Sequence, residues 1–178
     1  LKERGEVARW RSAATDPETA AIKASLEKVE RLKQRLEQTP EAKIPELQLL
    51  TEKDWFDMAK GNLSSPEDYQ WAFAGLRRAA QQNFAPLLQG AMRGYLYASL
   101  GQHPTNLAQI VPFFKPPLDP AMVEGWQIVP GEKYGMGSEL TVTQRSAVDK
   151  DREARVFLTS YGNRWESWKA IESVKASP

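Results

Sequence analysis

Ser65-Pro66-Glu67-Asp68 opens the stretch that decides the fold, and Gly101 closes it. Between them apolar residues recur at Tyr69, Ala72, Phe73, Leu76, Ala80, Phe84, Leu87, Leu88, Ala91, Met92, Tyr95 and Leu96. Steps of three and four, held over this distance, are the period of one helical face. Ser65 can cap the first turn, Pro66 has the φ that a first helical residue needs, and Asp68 follows three residues after the cap. At about 1.5 Å per residue the helix is on the order of 50 Å long. Its apolar stripe is too wide for one neighbour, so a sheet or several elements must cover it. Pro86 lacks the N–H for one backbone bond and is expected to kink the helix. Gly101 is expected to end it.

Charge supports placing the core here. Residues 61–125 carry only Arg77, Arg78, Arg93, Lys115, Glu67, Asp68, Asp119 and Glu124. Residues 1–60 carry 12 basic and 12 acidic side chains, and residues 126–178 carry 8 and 7. Charges are rarely fully buried, so the charge-poor middle is the interior.

Downstream of Gly101 the pattern changes. Thr105 or Asn106 can cap a single turn carrying Leu107 and Ile110. A proline-rich connector follows through Pro112, Pro116, Pro117 and Pro120, with Phe113, Phe114 and Leu118 expected to plug the core. A short helical turn is expected at 120–124. Three strand-like runs come next, at Trp126–Val129, Glu139–Gln144 and Ala154–Leu158. The second alternates Leu140 and Val142 inward with Thr141 and Thr143 outward. The short polar connections suit antiparallel neighbours. The expected fold is therefore α+β: a long kinked helix packed on a small antiparallel sheet of three to four strands.

Upstream, Asp16-Pro17 signals a helix start. Ile22, Leu26, Val29 and Leu36 then recur at coiled-coil spacing, with Lys33 in one seam position and Leu32 beside it. Such a narrow stripe fits a helix laid on its own domain, an intermolecular coiled coil or a stalk. Pro40 and Pro45 break this helix. Thr51 and Asp54 resemble a capping box for a short helix over 52–60 that presents Trp55, Phe56, Met58 and Ala59, with Gly61 closing the turn. Two units are expected: a helical, coiled-coil-like arm over 1–43 and an α+β domain over 44–178.

Composition excludes several chemistries. The 178 residues include no cysteine and one histidine. A disulfide framework, a thiol nucleophile, a cysteine-based zinc site and a two-histidine metal site are all ruled out. A net charge of +1 gives no bulk positive field for nucleic acid. In the C-terminal part, bases and aromatics do mix, but acids offset the bases and no recognition motif appears, so no nucleic-acid partner is expected. No apolar run reaches the length of a membrane span.

Individual candidates read as structural. His103 precedes Pro104 and has no partner ligands. Ser138, Ser146 and Ser160 lack the setting of a nucleophile elbow. Gly135-x-Gly137 lacks the third glycine of a phosphate cradle. Asp149-x-Asp151 with Glu153 could meet a hard cation, but Lys150 and Arg152 interleave and no EF-hand pattern completes it. Asp54 and Asp57 lie one turn apart on a helix flank. No catalytic residue, metal site or cofactor is expected. Tyr161, Trp165 and Trp168 are candidates for docking on a partner, or on the chain's own sheet.

Ala91-Met92-x-x-Tyr95 followed by Gly101-x-x-Pro104-Thr105-x-Leu107-x-x-Ile110 resembles the helix-exit segment of type II secretion pseudopilins. The likeness spans residues about 91–129. It departs from the family in a longer tyrosine-to-glycine interval, in the polar residues ahead of the helix, and in lacking the family's calcium loop, for which Asp149 and Asp151 are the nearest counterparts. The resemblance implies a pilin-like domain in a bacterial envelope protein, periplasmic or otherwise extracytoplasmic, anchored by a segment upstream of Leu1. A non-enzymatic structural or protein-interaction role follows, with self-association or partner binding through Ile22, Leu26, Val29 and Leu36. The alternative is a cytoplasmic regulatory or adaptor module that binds one protein.

Overall fold

The computed structural model describes residues 17–169. The cap expected at Asp16 lies outside them. Helix α1 (Pro17–Glu37) leads through two short 3-10 turns, Pro40–Ala42 and Pro45–Leu49, to α2 (Glu52–Ala59) and the long α3 (Pro66–Ala98). Three further 3-10 turns, at Leu107–Gln109, Val111–Phe113 and Pro120–Val123, occupy the proline-rich connector. Then come strands β1 (Trp126–Pro130), β2 (Leu140–Gln144), β3 (Ala154–Leu158) and β4 (Asn163–Ser167). They form one antiparallel sheet in the order β1-β2-β3-β4. The fold is α+β.

Both start signals act as capping boxes. The Asp54 N–H donates to Thr51 Oγ1, and the Thr51 N–H donates back to Asp54 Oδ2. Asp68 and Ser65 repeat the exchange at the head of α3. Helix α3 runs unbroken through Pro86. Its face carries Phe84, Leu88, Ala91 and Met92 into a core shared with Ile110, Phe114, Trp126, Val142, Val156 and Leu158.

The exit of α3 differs from expectation by one residue. The Gly101 N–H donates to the Leu96 carbonyl and the Leu100 N–H to the Tyr97 carbonyl, the two bonds of a Schellman motif. That arrangement puts Leu100, not Gly101, at the first left-handed position, with φ 54°. Its side chain is 95% exposed and earns no packing in return. Left-handed backbone costs a β-carbon-bearing residue roughly 1–2 kcal/mol, partly offset by the freedom that glycine has when unfolded. Leu100→Gly is therefore expected to stabilise the chain by about 0.5–1 kcal/mol in urea unfolding. A loss of stability would contradict this account of the cap.

A second cluster joins α1 to the domain. Leu32, Leu36 and Ala42 pack with Ala72, Phe73 and Leu76. Packing thus crosses the boundary expected at residue 43. Leu32, fully buried, takes the seam position expected for Lys33, which lays its ammonium 5.7 Å from the Trp55 ring instead.

The sheet buries both faces. Thr141 and Thr143 do alternate with Leu140 and Val142, yet all four are buried. The 3-10 turn Gly131–Tyr134 and Trp168 lie on the threonine side. There the Tyr134 ring stands 4.7 Å from the Phe157 ring. Arg155 fills the gap: its guanidinium lies 4.8 Å from the Trp168 ring and its Nε donates to Thr143 Oγ1. A fourth strand, β4, completes the sheet beyond the three expected runs.

Candidate functional site

Three surfaces hold the residues singled out by sequence. The first is the turn between β3 and β4. The Thr159 hydroxyl accepts the N–H groups of Tyr161 and Gly162, and the Thr159 N–H donates to the Gly162 carbonyl. Helix α3 clamps this turn from one side. The Gln89 amide donates to the Thr159 and Gly162 carbonyls at 3.0 and 2.9 Å. Arg93, one helical turn later, donates to the Ser160 carbonyl at 2.5 Å. The turn is held from within and from behind, and Tyr161 stands on it 83% exposed. Gln89 and Arg93 were not among the residues expected to matter. Their only trace in the sequence is a polar pair four residues apart on a mostly apolar helix.

The other two aromatics are placed differently. Trp165 sits on β4 opposite Val156, half-buried against the core, with Arg78 5.6 Å from its ring. Trp168 is buried under Arg155 and offers a partner little surface. Tyr161, Trp165 and Trp168 therefore do not form one exposed patch.

The second surface is α1. Its expected stripe divides in two. Val29 and Leu36 are buried within the chain, whereas Ile22 and Leu26 are 55% and 47% exposed. A shallow groove beside Leu26 is edged by Lys23, Glu27, Glu30 and Arg31. The helix is anchored by its C-terminal half and presents apolar side chains, with flanking charges of both signs, along the other half.

The third is a polar cleft of about 460 Å³ between α1, α3 and the β2–β3 loop. Arg77, 3% exposed, lies at its base. Its Nε donates to Glu153 Oε1 at 2.6 Å and its Nη1 to the Ala42 carbonyl at 3.0 Å. Glu153 also accepts the Val148 and Asp149 N–H groups. Arg35, at the rim, lies 5.8 Å from the Tyr69 ring. Asp149 accepts the Asp151 and Arg152 N–H groups and pairs with the Arg152 guanidinium at 2.8 Å. Burial pushes its carboxyl up, but the Arg152 side chain and the two N–H groups outweigh that and hold it below the ordinary value. Asp151 pairs with Lys169 at 2.9 Å. These carboxylates close a loop. Among the described residues, no group of three or more histidine or acidic side chains is placed to hold a metal ion.

The remaining candidates stay apart. His103 is exposed at a shallow groove shared with Glu132 and Ser138. Asp54 caps α2, and Asp57 lies between Lys53 and Lys60, whose hydrogen bonds hold its carboxyl at about 2.

One buried acid carries no local signal in the sequence. Glu46 is 4% exposed, and the Trp126 indole N–H donates to its Oε1 at 2.5 Å. Burial pushes the Glu46 carboxyl above its ordinary value of 4.5, opposed in part by the Trp126 hydrogen bond. The folded chain thus holds this proton more tightly than the unfolded chain. Its contribution to stability falls as pH rises from the ordinary value towards the folded one, and is level above. Glu46→Gln keeps an oxygen for the indole and removes the titration. The variant should be more stable than the native chain at pH 7, with the difference closing below about pH 4. Thermal melts at both pH values check this, and a pH-independent difference would contradict it.

No protein-family model, curated protein or solved structure matches the chain. No helix among the described residues is long and apolar enough to cross a membrane.

Proposed function

We propose that this chain is a non-enzymatic structural or interaction domain of a pilin-like bacterial envelope protein. The observation that carries the reading is the divided stripe of α1. Leu32 and Leu36 lock the helix to the domain while Ile22 and Leu26 face outward between charged neighbours. Exposed apolar pairs on a rigidly held helix are a recurring way to engage another helix. Tyr161, displayed on a turn braced by Gln89 and Arg93, supplies a second contact point, since tyrosine suits an interface by offering both an apolar body and a polar tip.

The envelope placement rests on the pseudopilin-like exit of α3 and on the order of elements, a long helix and a connector followed by an antiparallel meander. Fold order alone does not assign function. The alternative is a cytoplasmic adaptor using the same surfaces. Cell fractionation of the native full-length protein, with protease access, separates the two. Membrane attachment with the domain outside the cytoplasm is the expected result. A protease-protected cytoplasmic pool would overturn the envelope placement and leave the adaptor.

A further inference from the structure

We infer that β4 is a self-complementary docking edge that pairs antiparallel with β4 of a second copy of this chain. The inference deepens the interaction-domain reading by naming a partner, and it uses neither Ile22 nor Leu26.

Strand β4 is the last in the sheet, bonded to β3 on one side only. The orientation of its backbone follows from the turn. The Thr159 N–H to Gly162 carbonyl bond marks residues 159 and 162 as a hydrogen-bonded position. Antiparallel pairs alternate, so Leu158↔Asn163 is non-bonded, Phe157↔Arg164 bonded, Val156↔Trp165 non-bonded and Arg155↔Glu166 bonded. Arg164 and Glu166 therefore turn their backbone groups towards β3. Asn163, Trp165 and Ser167 turn theirs outward, to the open edge. Among the described residues, no strand or helix pairs with that edge.

An open edge invites pairing with any chain, and charges normally restrict it. Here they select one arrangement. The strand reads Asn163-Arg164-Trp165-Glu166-Ser167, which is symmetric about Trp165 with its charges inverted. A two-fold axis through Trp165 sets Trp165 against Trp165 of the second copy, and Asn163 against its Ser167. Those are the residues whose N–H and C=O groups point outward, so each finds its partner. The same axis sets Arg164 of each copy against Glu166 of the other. These fall at non-bonded positions, where side chains approach most closely. An axis through Arg164 would oppose two arginines, and one through Glu166 two glutamates. Of the axes through the three central residues, charge leaves only the one through Trp165, and that register also pairs every outward backbone group within the strand, as an isologous interface requires. Arg164 and Glu166, paired with each other within one copy, keep 46% and 26% of their side-chain surface exposed and can exchange partners across the axis.

Sedimentation equilibrium of the full chain, from low micromolar to about 0.5 mM, tests the proposal. A reversible dimer is expected. Arg164→Glu and Glu166→Arg, made singly, oppose like charges twice across the axis and should each weaken it about tenfold. Combined, they restore the complementarity and should restore the dimer. Ser167→Pro deletes an outward N–H and leaves the β3 ladder intact, so it should weaken association while leaving the melting temperature of the monomer, taken at concentrations too low for dimer, unchanged. The dimer should also survive Ile22→Lys with Leu26→Lys. A chain monomeric at 0.5 mM, a dimer indifferent to both single charge changes, no rescue in the double variant, or a dimer abolished by the α1 changes would each overturn it.

Discussion

Arg77→Ala should lower folding stability by about 3–5 kcal/mol, the cost of leaving one charge of a buried pair alone. Arg77 is 3% and Glu153 9% exposed at the side chain, so water cannot screen what remains. The guanidinium joins three parts of the chain. It donates from α3 to Glu153 in the β2–β3 loop and to the carbonyl of Ala42 at the end of the first 3-10 turn. Truncation takes the counter-charge from Glu153, which keeps only the Val148 and Asp149 N–H groups, and leaves the Ala42 carbonyl without its donor. The loss should be visible as a lower urea midpoint. Replacing both partners with apolar residues, Arg77→Met and Glu153→Leu, should recover part of it: the apolar pair carries no desolvation penalty, but the Ala42 carbonyl and the Val148 and Asp149 N–H groups lose their partners. A loss below about 1 kcal/mol in the single variant would mean that the cleft admits enough water to solvate Glu153.

Leu32→Ala should cost about 2–5 kcal/mol, whereas Leu26→Ala should stay within about 0.5 kcal/mol of the native chain. The two residues lie on one helix, and only their surroundings differ. Leu32 is fully buried against Leu36, Phe73 and Leu76, so truncation opens a cavity that rigid neighbours cannot fill. Leu26 is 47% exposed, so truncation removes little buried area. Urea unfolding of the pair measures how firmly α1 is joined to the domain. Equal, small losses would contradict the anchoring of α1 by its C-terminal half.

Much of the fold is legible because its signals are local. Ser65, Pro66 and Asp68 mark the head of α3 within four residues, and Thr51 with Asp54 does the same for α2. Strands β1 to β3 announce themselves through runs of apolar and β-branched side chains. What is not legible depends on residues far apart in the chain. Strand β4 has one apolar residue in five, and its pairing with β3 makes it a strand. Thr141 and Thr143 look like a solvent face until Tyr134, Phe157 and Trp168 close over them. Leu32 rather than Lys33 is buried because Leu36, Phe73 and Leu76 give an apolar side chain a site that an ammonium could enter only by losing its water, and Lys33 stays at the surface beside Trp55 and Glu30. Arg77 looks like a stray charge on an apolar helix until Glu153, 76 residues later, is placed beside it.

The surfaces follow the same division. Ile22 and Leu26 were readable as an apolar stripe, but its limits were not, because Val29 and Leu36 are buried by α3 and its neighbours. Tyr161 was readable as an aromatic near the C-terminus. Its separation from Trp168 was not, because that depends on Arg155 drawing the indole onto the sheet.

In the proposed function the exposed half of α1 meets a partner. The direct measurement places a photo-crosslinking amino acid at Leu26 in the native full-length protein and compares it with Tyr97, which is 89% exposed and lies outside the proposed surfaces. Irradiation in the cell should give a discrete adduct from position 26 and none from position 97. The absence of an adduct at position 26, or the same adduct from both positions, would contradict it.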